Sequence, residues 1–123
     1  MKIFLLLTMY FFGIVDDYYL QGILARLKQK ECWSDEILYQ HDYIVALIQH
    51  SFSWTFMVML PIMCWMIYSK QIDIYSYCIV FVCNVIIHAF IDNLKANDKE
   101  INLAADQSIH LVQIVITWLV FNC

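Results

Sequence analysis

Glycine and proline are nearly absent from this chain of 123 residues, which contains 2 glycines and 1 proline. Tight turns depend on these two residue types, and disordered chains are rich in proline and poor in apolar side chains. Their scarcity therefore excludes a loop-rich β-protein and a disordered chain. The length predicts one domain that covers residues 1–123.

Charge is also scarce. Only 15% of the residues are charged, Lys and Arg together number 7, and the net charge is −4. Binding to nucleic acid needs a basic stripe that neutralises phosphates, so we expect no nucleic-acid partner. The 5 cysteines contain no C-x-x-C pair, which argues against a zinc ribbon or a disulfide framework.

Apolar side chains are abundant instead, at 63% of the chain, with a mean hydropathy of +0.66. Soluble domains are about half apolar and about a quarter charged, and a small domain leaves much of its surface exposed. These values predict an integral membrane protein whose partner is the lipid bilayer. A soluble interaction domain is the alternative, but it would have to bury four nearly all-apolar helices without lipid.

Four apolar runs are long enough to cross a bilayer as helices, and they lack the alternation of strands. They cover about residues 3–24, 43–68, 74–94 and 101–121. The predicted fold class is all-α: a polytopic membrane protein with four transmembrane helices in a compact bundle. The charged segment 26–42 is expected to lie at the membrane surface.

Basic residues are distributed unevenly between the two sides of this bundle. Five of them lie in the connections after the first and third spans, and two lie on the opposite side: Arg26, Lys28, Lys30, Lys95 and Lys99 against Lys2 and Lys70. Basic connections face the cytoplasm in membrane proteins. The bias predicts that both termini are non-cytoplasmic.

Polar residues inside the spans are informative, because a charged side chain at the membrane centre costs about 2.5–3.5 kcal/mol. Three spans each carry a polar pair at i, i+4, which shares one helix face, and the second span carries one histidine. These residues are Asp17 and Gln21, His88 and Asp92, Asp106 and His110, and His50. All lie in the half of each span nearest the basic connections, which predicts a shared polar pocket open to that side.

Several carboxylates in one pocket would repel one another, and no Lys or Arg lies within the spans. A divalent cation would remove the conflict, and imidazole with carboxylate suits Zn, Mn or Fe. We predict His88, Asp92, Asp106 and His110 as the core ligands. Asp17 and His50 would complete the ligand set or act as general base, and Gln21 and Gln107 would support ligands or contact substrate. Two simpler interpretations are a boundary ion pair of Asp92 with Lys95, and an Asp16 or Asp17 that merely ends the first span at the headgroups.

These motifs resemble a family of small bacterial and phage membrane proteins, domain of unknown function 3307. The resemblance covers nearly the whole chain, and the motifs in the third and fourth spans are its most specific part. The matching runs are Asp17-Tyr-Tyr-Leu-Gln21, Ala46-Leu-Ile-Gln-His50, His88-Ala-Phe-Ile-Asp92-Asn-Leu-Lys95 and Asp106-Gln107-Ser-Ile-His110. The resemblance implies a bacterial inner-membrane protein. One departure is Gly13, which stands where a histidine one turn before the first aspartate is common in the family, and it leaves the activity of the site open.

Two functional hypotheses follow. The first is a membrane-embedded, metal-dependent hydrolase acting on a lipid-like substrate, in which a bound ion activates water. The alternative is a non-enzymatic membrane module related to phage or defence systems, such as an oligomeric effector or an accessory subunit. In that case the polar pocket is a structural lock between helices or a proton path.

Overall fold

The computed structural model describes residues 2–34 and 38–122, and it contains five α-helices. They are α1 (Lys2–Val15), α2 (Leu24–Leu27), α3 (Asp42–Ser69), α4 (Ile74–Ala96) and α5 (Leu103–Asn122). A π-helical turn, Asp16–Leu20, continues α1, and a 3-10 turn, Lys30–Trp33, lies between α2 and α3. The described residues contain no strand, which confirms the all-α prediction. Residues 35–37 of the expected surface segment lie outside the described part of the chain.

Four helical stretches are long and apolar enough to cross a membrane: Lys2–Leu20, α3, α4 and α5. This confirms the prediction of four candidate spans. The first stretch ends at Leu20, earlier than the predicted residue 24. The reason is Gly22, whose φ of 51° is a left-handed conformation that ends a helix and that glycine adopts without strain.

The long helices form an antiparallel four-helix bundle. Helix α1 packs on α3, α3 on α4, α4 on α5, and α5 on α1, so each is adjacent to its neighbours in sequence. At one end, called the terminal end, the Lys2 ammonium donates to the backbone oxygen of Asn122 at 2.6 Å. At the opposite end, called the connection end, the backbone N–H of Lys30 donates to Asn97 Oδ1 at 2.7 Å. That bond joins the α1–α3 connection to the α4–α5 connection.

The interior of the bundle is more polar than its exterior. Among the described residues, twelve buried side chains are polar or charged and ten are apolar. Large apolar side chains cover the outside, including Phe4, Ile79 and Phe90, whose exposed fractions are 73%, 65% and 61%. A soluble protein rarely buries so many polar groups. The apolar core lies toward the terminal end, between α1, α3 and α5, and the charged groups lie toward the connection end.

Candidate metal centre

The π-helical turn places two consecutive carboxylates inside the bundle. The side chains of consecutive residues in an α-helix point about 100° apart. The π-helical turn is wider, because the Gln21 N–H donates to the Asp16 carbonyl at 2.9 Å. In this turn both aspartates face the inside of the bundle. Asp16 Oδ2 lies 3.5 Å from His50 Nδ1, and Asp17 Oδ1 lies 3.5 Å from His50 Nε2. Ser53 Oγ donates to Asp16 Oδ1 at 2.6 Å. The two carboxylates thus flank one imidazole, so both contact the interior of the bundle. Single π turns are frequent at functional sites.

The Nε2 atom of His50 is crowded by polar atoms from the end of the first helical stretch and from α4. Gln21 Nε2 lies at 2.9 Å, His88 Nε2 at 3.2 Å and Asp92 Oδ2 at 3.3 Å, in addition to the Asp17 oxygen. An imidazole nitrogen carries either one hydrogen or one lone pair, so it cannot form all of these contacts as hydrogen bonds. Asp17, His50 and His88 could instead hold a cation at this point.

A second histidine pair lies beside this point. The rings of Trp54 and His88 stack at 4.2 Å, and those of His88 and His110 stack at 4.1 Å. His110 Nε2 lies 3.2 Å from Asp106 Oδ1 and 3.6 Å from Asp92 Oδ1. Within the described residues, neither nitrogen of the His110 ring forms a hydrogen bond of good geometry, and neither does Asp106 Oδ1. Buried polar atoms rarely lack a hydrogen-bond partner, and such an atom is commonly satisfied by a ligand, a water molecule or an ion.

Two groups of three side chains could hold a metal ion. Asp17, His50 and His88 form one group, and His88, Asp92 and His110 form the other, with the ligand atoms of each group within 4.8 Å of one another. The expected convergence of polar residues from all four long helices is therefore confirmed. Three of the four predicted core ligands fall in the second group, whereas Asp106 belongs to neither group and contacts His110 instead.

Two lysines enter this cluster, and one of them was not foreseen from the sequence. Lys28, which is only 8% exposed, donates to Asp92 Oδ2 at 2.5 Å. Lys95 donates to Asp106 Oδ2 at 2.6 Å. The alternative interpretation, an ion pair of Asp92 with Lys95, differs from the observed pairing: Lys95 pairs with Asp106 at the start of α5, and Lys28 reaches Asp92 from the α1–α3 connection.

The charges of the cluster do not cancel. Four carboxylates, two ammonium groups and three imidazoles lie together, so the net charge of the cluster is −2 when the imidazoles are neutral. The carboxylates are those of Asp16, Asp17, Asp92 and Asp106, the ammonium groups those of Lys28 and Lys95, and the imidazoles those of His50, His88 and His110. Isolated buried charge is strongly unfavourable. One divalent cation or two protons would neutralise the cluster.

A polar cavity of 230 Å³, the inner cavity, reaches the cluster from the connection end. Its lining residues are Asp17, Tyr18, Gln21, Lys28, Asp92, Lys95, Leu103, Asp106 and Gln107. Gln107 Nε2 lies 3.3 Å from Asp17 Oδ2 and 3.2 Å from Asp106 Oδ2. Gln21 and Gln107, the two glutamines expected to support ligands or contact substrate, therefore both border this cavity.

A second cavity of 480 Å³, the outer cavity, lies next to the first. Its lining residues are Gln21, Ala25, Lys28, Gln29, Glu31, Lys95, Ala96 and Lys99. Lys99 Nζ lies 2.7 Å from Glu31 Oε1. Through this hydrogen bond and the opposite charges, Lys99 lowers the pKa of Glu31 and Glu31 raises the pKa of Lys99, so both side chains are ionised at neutral pH.

An uncharged polar seam continues from the cluster toward the terminal end, between α4 and α5. Asn84 Nδ2 donates to Thr117 Oγ1 at 2.9 Å, and Gln113 Nε2 donates to Asn84 Oδ1 at 2.7 Å. None of these residues is among those predicted from the sequence. Their spacing was a usable signal, since Asn84 precedes His88 by four positions and Gln113 follows His110 by three.

Gly13, the departure from the family pattern, lies against the cluster's aromatic side. A Cβ atom there would lie 3.5 Å from Trp54 Nε1 and 3.3 Å from both Val58 Cγ2 and Ile114 Cδ1. The absence of a side chain lets α1 approach α3 and α5 closely. A Cβ atom at this position would push against Val58 and Ile114, while its distance to Trp54 is an ordinary van der Waals contact.

Comparison with protein-family models, curated proteins and solved structures finds no match for this chain. The resemblance to the family of small membrane proteins therefore stays a prediction. Only the geometry and charge of the cluster bear on function.

Proposed function

We propose that this chain is an integral membrane protein that binds one divalent transition metal and hydrolyses a lipid-like substrate. The observation that carries the proposal is the charge of −2 in a buried cluster that contains two metal-capable groups of side chains. Insertion in a bilayer is supported by the polar interior and the apolar exterior of the bundle.

The group of Asp17, His50 and His88 is the better site for the ion. Two ligands bonded to a tetrahedral Zn²⁺ at about 2.0–2.1 Å lie about 3.3 Å apart. The distances from His50 Nε2 to His88 Nε2 and to Asp17 Oδ1 are 3.2 Å and 3.5 Å. The other group is less favourable, because Lys28 already donates to one of the two Asp92 oxygens, Oδ2.

The surroundings of this group suit a catalytic ion more than a structural one. Only three protein ligands are present, and Asp17 borders the inner cavity, so a fourth position is open to water or substrate. A carboxylate lies at the second nitrogen of His50, where it would orient a metal-bound imidazole. The ligand types suit Zn, Mn or Fe.

The chain's own residues supply the remaining parts of a hydrolytic site. An ion bound here would activate a water molecule, and His110, which stacks on His88 and has an Asp106 oxygen at 3.2 Å, is the proposed general base. The inner cavity opens at the connection end, which would lie at headgroup depth in a bilayer. A lipid-like substrate fits that position.

Elemental analysis of the full chain, purified in detergent with a tag that contains no histidine, tests the proposal. We expect about one Zn, Mn or Fe per chain and hydrolysis of lipids in mixed micelles. His88→Ala should lose both, because both groups share this residue. His41→Ala, at the exposed start of α3, is the matched control and should keep them. Folded wild-type protein without metal would refute the proposal.

A non-enzymatic membrane module is the second candidate, and the two lysine–aspartate pairs of the cluster favour it, since they neutralise two acids without any ion. The seam at Asn84 would then extend a structural or proton-conducting line toward the terminal end. Membrane depolarisation on expression that persists in His88→Ala and His110→Ala would support the module. An oligomer that forms without metal would support it further.

A further inference from the structure

The inner and outer cavities share three lining residues, and two of these are lysines. Gln21, Lys28 and Lys95 border both cavities and form the neck between them. On the inner side each ammonium contacts one carboxylate of the cluster. On the outer side the same two lysines line the cavity together with Lys99 and Glu31, which pair with each other.

The neck offers hydrogen-bond donors that the protein itself does not use. A lysine ammonium has three N–H donors. The structure gives Lys28 a single partner, Asp92, and Lys95 a single partner, Asp106, among the described residues. The side chain of Lys95 is 33% exposed and can turn to solvent, but that of Lys28 is only 10% exposed. Buried donors without partners are unfavourable, so the neck favours a ligand with several acceptor oxygens.

We propose that the neck binds the phosphate group of a phospholipid, and that Lys28 and Lys95 donate hydrogen bonds to it. This inference rests on the proposed function and names its substrate class. A phosphate has enough oxygens to accept from both ammonium groups at once, and charge-assisted bonds of this kind are strong. In the neck, the phosphate lies between the outer cavity, which Lys99 and Glu31 line, and the inner cavity, which Asp17 lines.

The lipid source of the phosphate follows from the position of the neck. It lies at the end of a bundle whose outer surface is apolar, so a phosphate held there can keep its acyl chains along the bundle. Inorganic phosphate would offer the same oxygens without the chains. The two sources differ in affinity, because burial of acyl chains adds favourable free energy in proportion to area.

The test is a binding titration of the full chain in detergent after chelation of metal, with intrinsic tryptophan fluorescence as the readout. The probes are short-chain phosphatidic acid, diacylglycerol with the same chains, and inorganic phosphate. We expect phosphatidic acid to bind, diacylglycerol to bind at least about tenfold more weakly, and Lys28→Gln and Lys95→Gln each to weaken phosphatidic acid roughly ten- to hundredfold. Lys70→Gln, at the terminal end of α3, is the matched control and should change nothing.

Each outcome decides the inference. Competition by inorganic phosphate that disappears in Lys95→Gln supports phosphate recognition and shows that free phosphate also enters the neck. Equal binding of phosphatidic acid and diacylglycerol, or unchanged binding in Lys95→Gln, overturns it. Lys95 is partly exposed, so that variant stays informative if Lys28→Gln fails to fold. The titration is done without metal, so its result does not depend on the metal site. If the chain binds phosphatidic acid but never contains metal after purification, the hydrolase proposal is refuted and the phosphate site is not.

Discussion

Replacing Lys28 by methionine tests whether the buried ammonium stabilises the bundle by compensating Asp92. The side chains of this pair are 10% and 3% exposed. Removing one partner of such a pair leaves an uncompensated buried charge and costs about 3–5 kcal/mol. The total stability of a domain this size is about 5–15 kcal/mol, so the effect should be large.

Lys30→Met is the matched control, because Lys30 lies in the same connection and pairs with Asp98 at 3.2 Å with exposed fractions of 45% and 36%. Exposed pairs contribute about 0–1 kcal/mol. The free energies of unfolding of the two variants should therefore differ by at least about 2 kcal/mol. A Lys28→Met, Asp92→Asn double variant should be more stable than Lys28→Met, since it contains no unpaired charge.

The assay is unfolding by sodium dodecyl sulfate in mixed micelles, followed by circular dichroism after chelation of metal. A divalent metal at a concentration of 100 times its Kd should raise the free energy of unfolding of a variant that binds it by about 2.7 kcal/mol. Equal destabilisation by Lys28→Met and Lys30→Met would refute the reasoning, because it would mean that the Lys28 ammonium is solvated. A double variant as unstable as Lys28→Met would refute the role of Asp92.

Two further perturbations address the rest of the interior. Asp16→Asn should weaken metal binding about 10- to 100-fold, because the carboxylate that orients His50 loses its charge; unchanged affinity in a chelator competition would contradict this. Asn84→Leu removes the side-chain partner of Gln113 and Thr117, which keep only backbone acceptors, and should lower the free energy of unfolding by roughly 1–2 kcal/mol with metal content unchanged. Its neighbour Cys83, which is exposed, provides the control Cys83→Leu, and equal stability of the two variants would count against the seam.

Much of the fold could be predicted from hydropathy, because a span requires a long apolar run and this chain has four. The end of the first span was less predictable. Leu20 is followed by Gln21 and Gly22, and an apolar Ile23-Leu24 pair then extends the run, so composition alone favours a longer helix. The left-handed φ of Gly22 ends it, and hydropathy carries no information on backbone dihedrals.

The site was partly predictable for a related reason. Pairs at i, i+4, such as His88 with Asp92, lie on one helix face whatever the tertiary structure, and their matched depth brings the helices' polar faces together. The reach of Lys28 to Asp92 is different, because the two residues are 64 positions apart and their contact depends on how the connection folds back. Both Asp16 and Asp17 face the inside of the bundle because of a π-helical turn, which no local sequence pattern predicts.

The positions of the histidines restrict how the cluster can be neutralised without metal. His88 stacks on His110 at 4.1 Å, and its Nε2 atom lies 3.2 Å from His50 Nε2. A charged His88 would repel a charged ring on either side, so two protons are best placed on His50 and His110 while His88 stays neutral. An ion held by Asp17, His50 and His88 requires His50 to be neutral, since a metal binds the unprotonated nitrogen. Metal and the second imidazole proton therefore exclude each other at His50, and an ion that binds while His50 is protonated must release that proton.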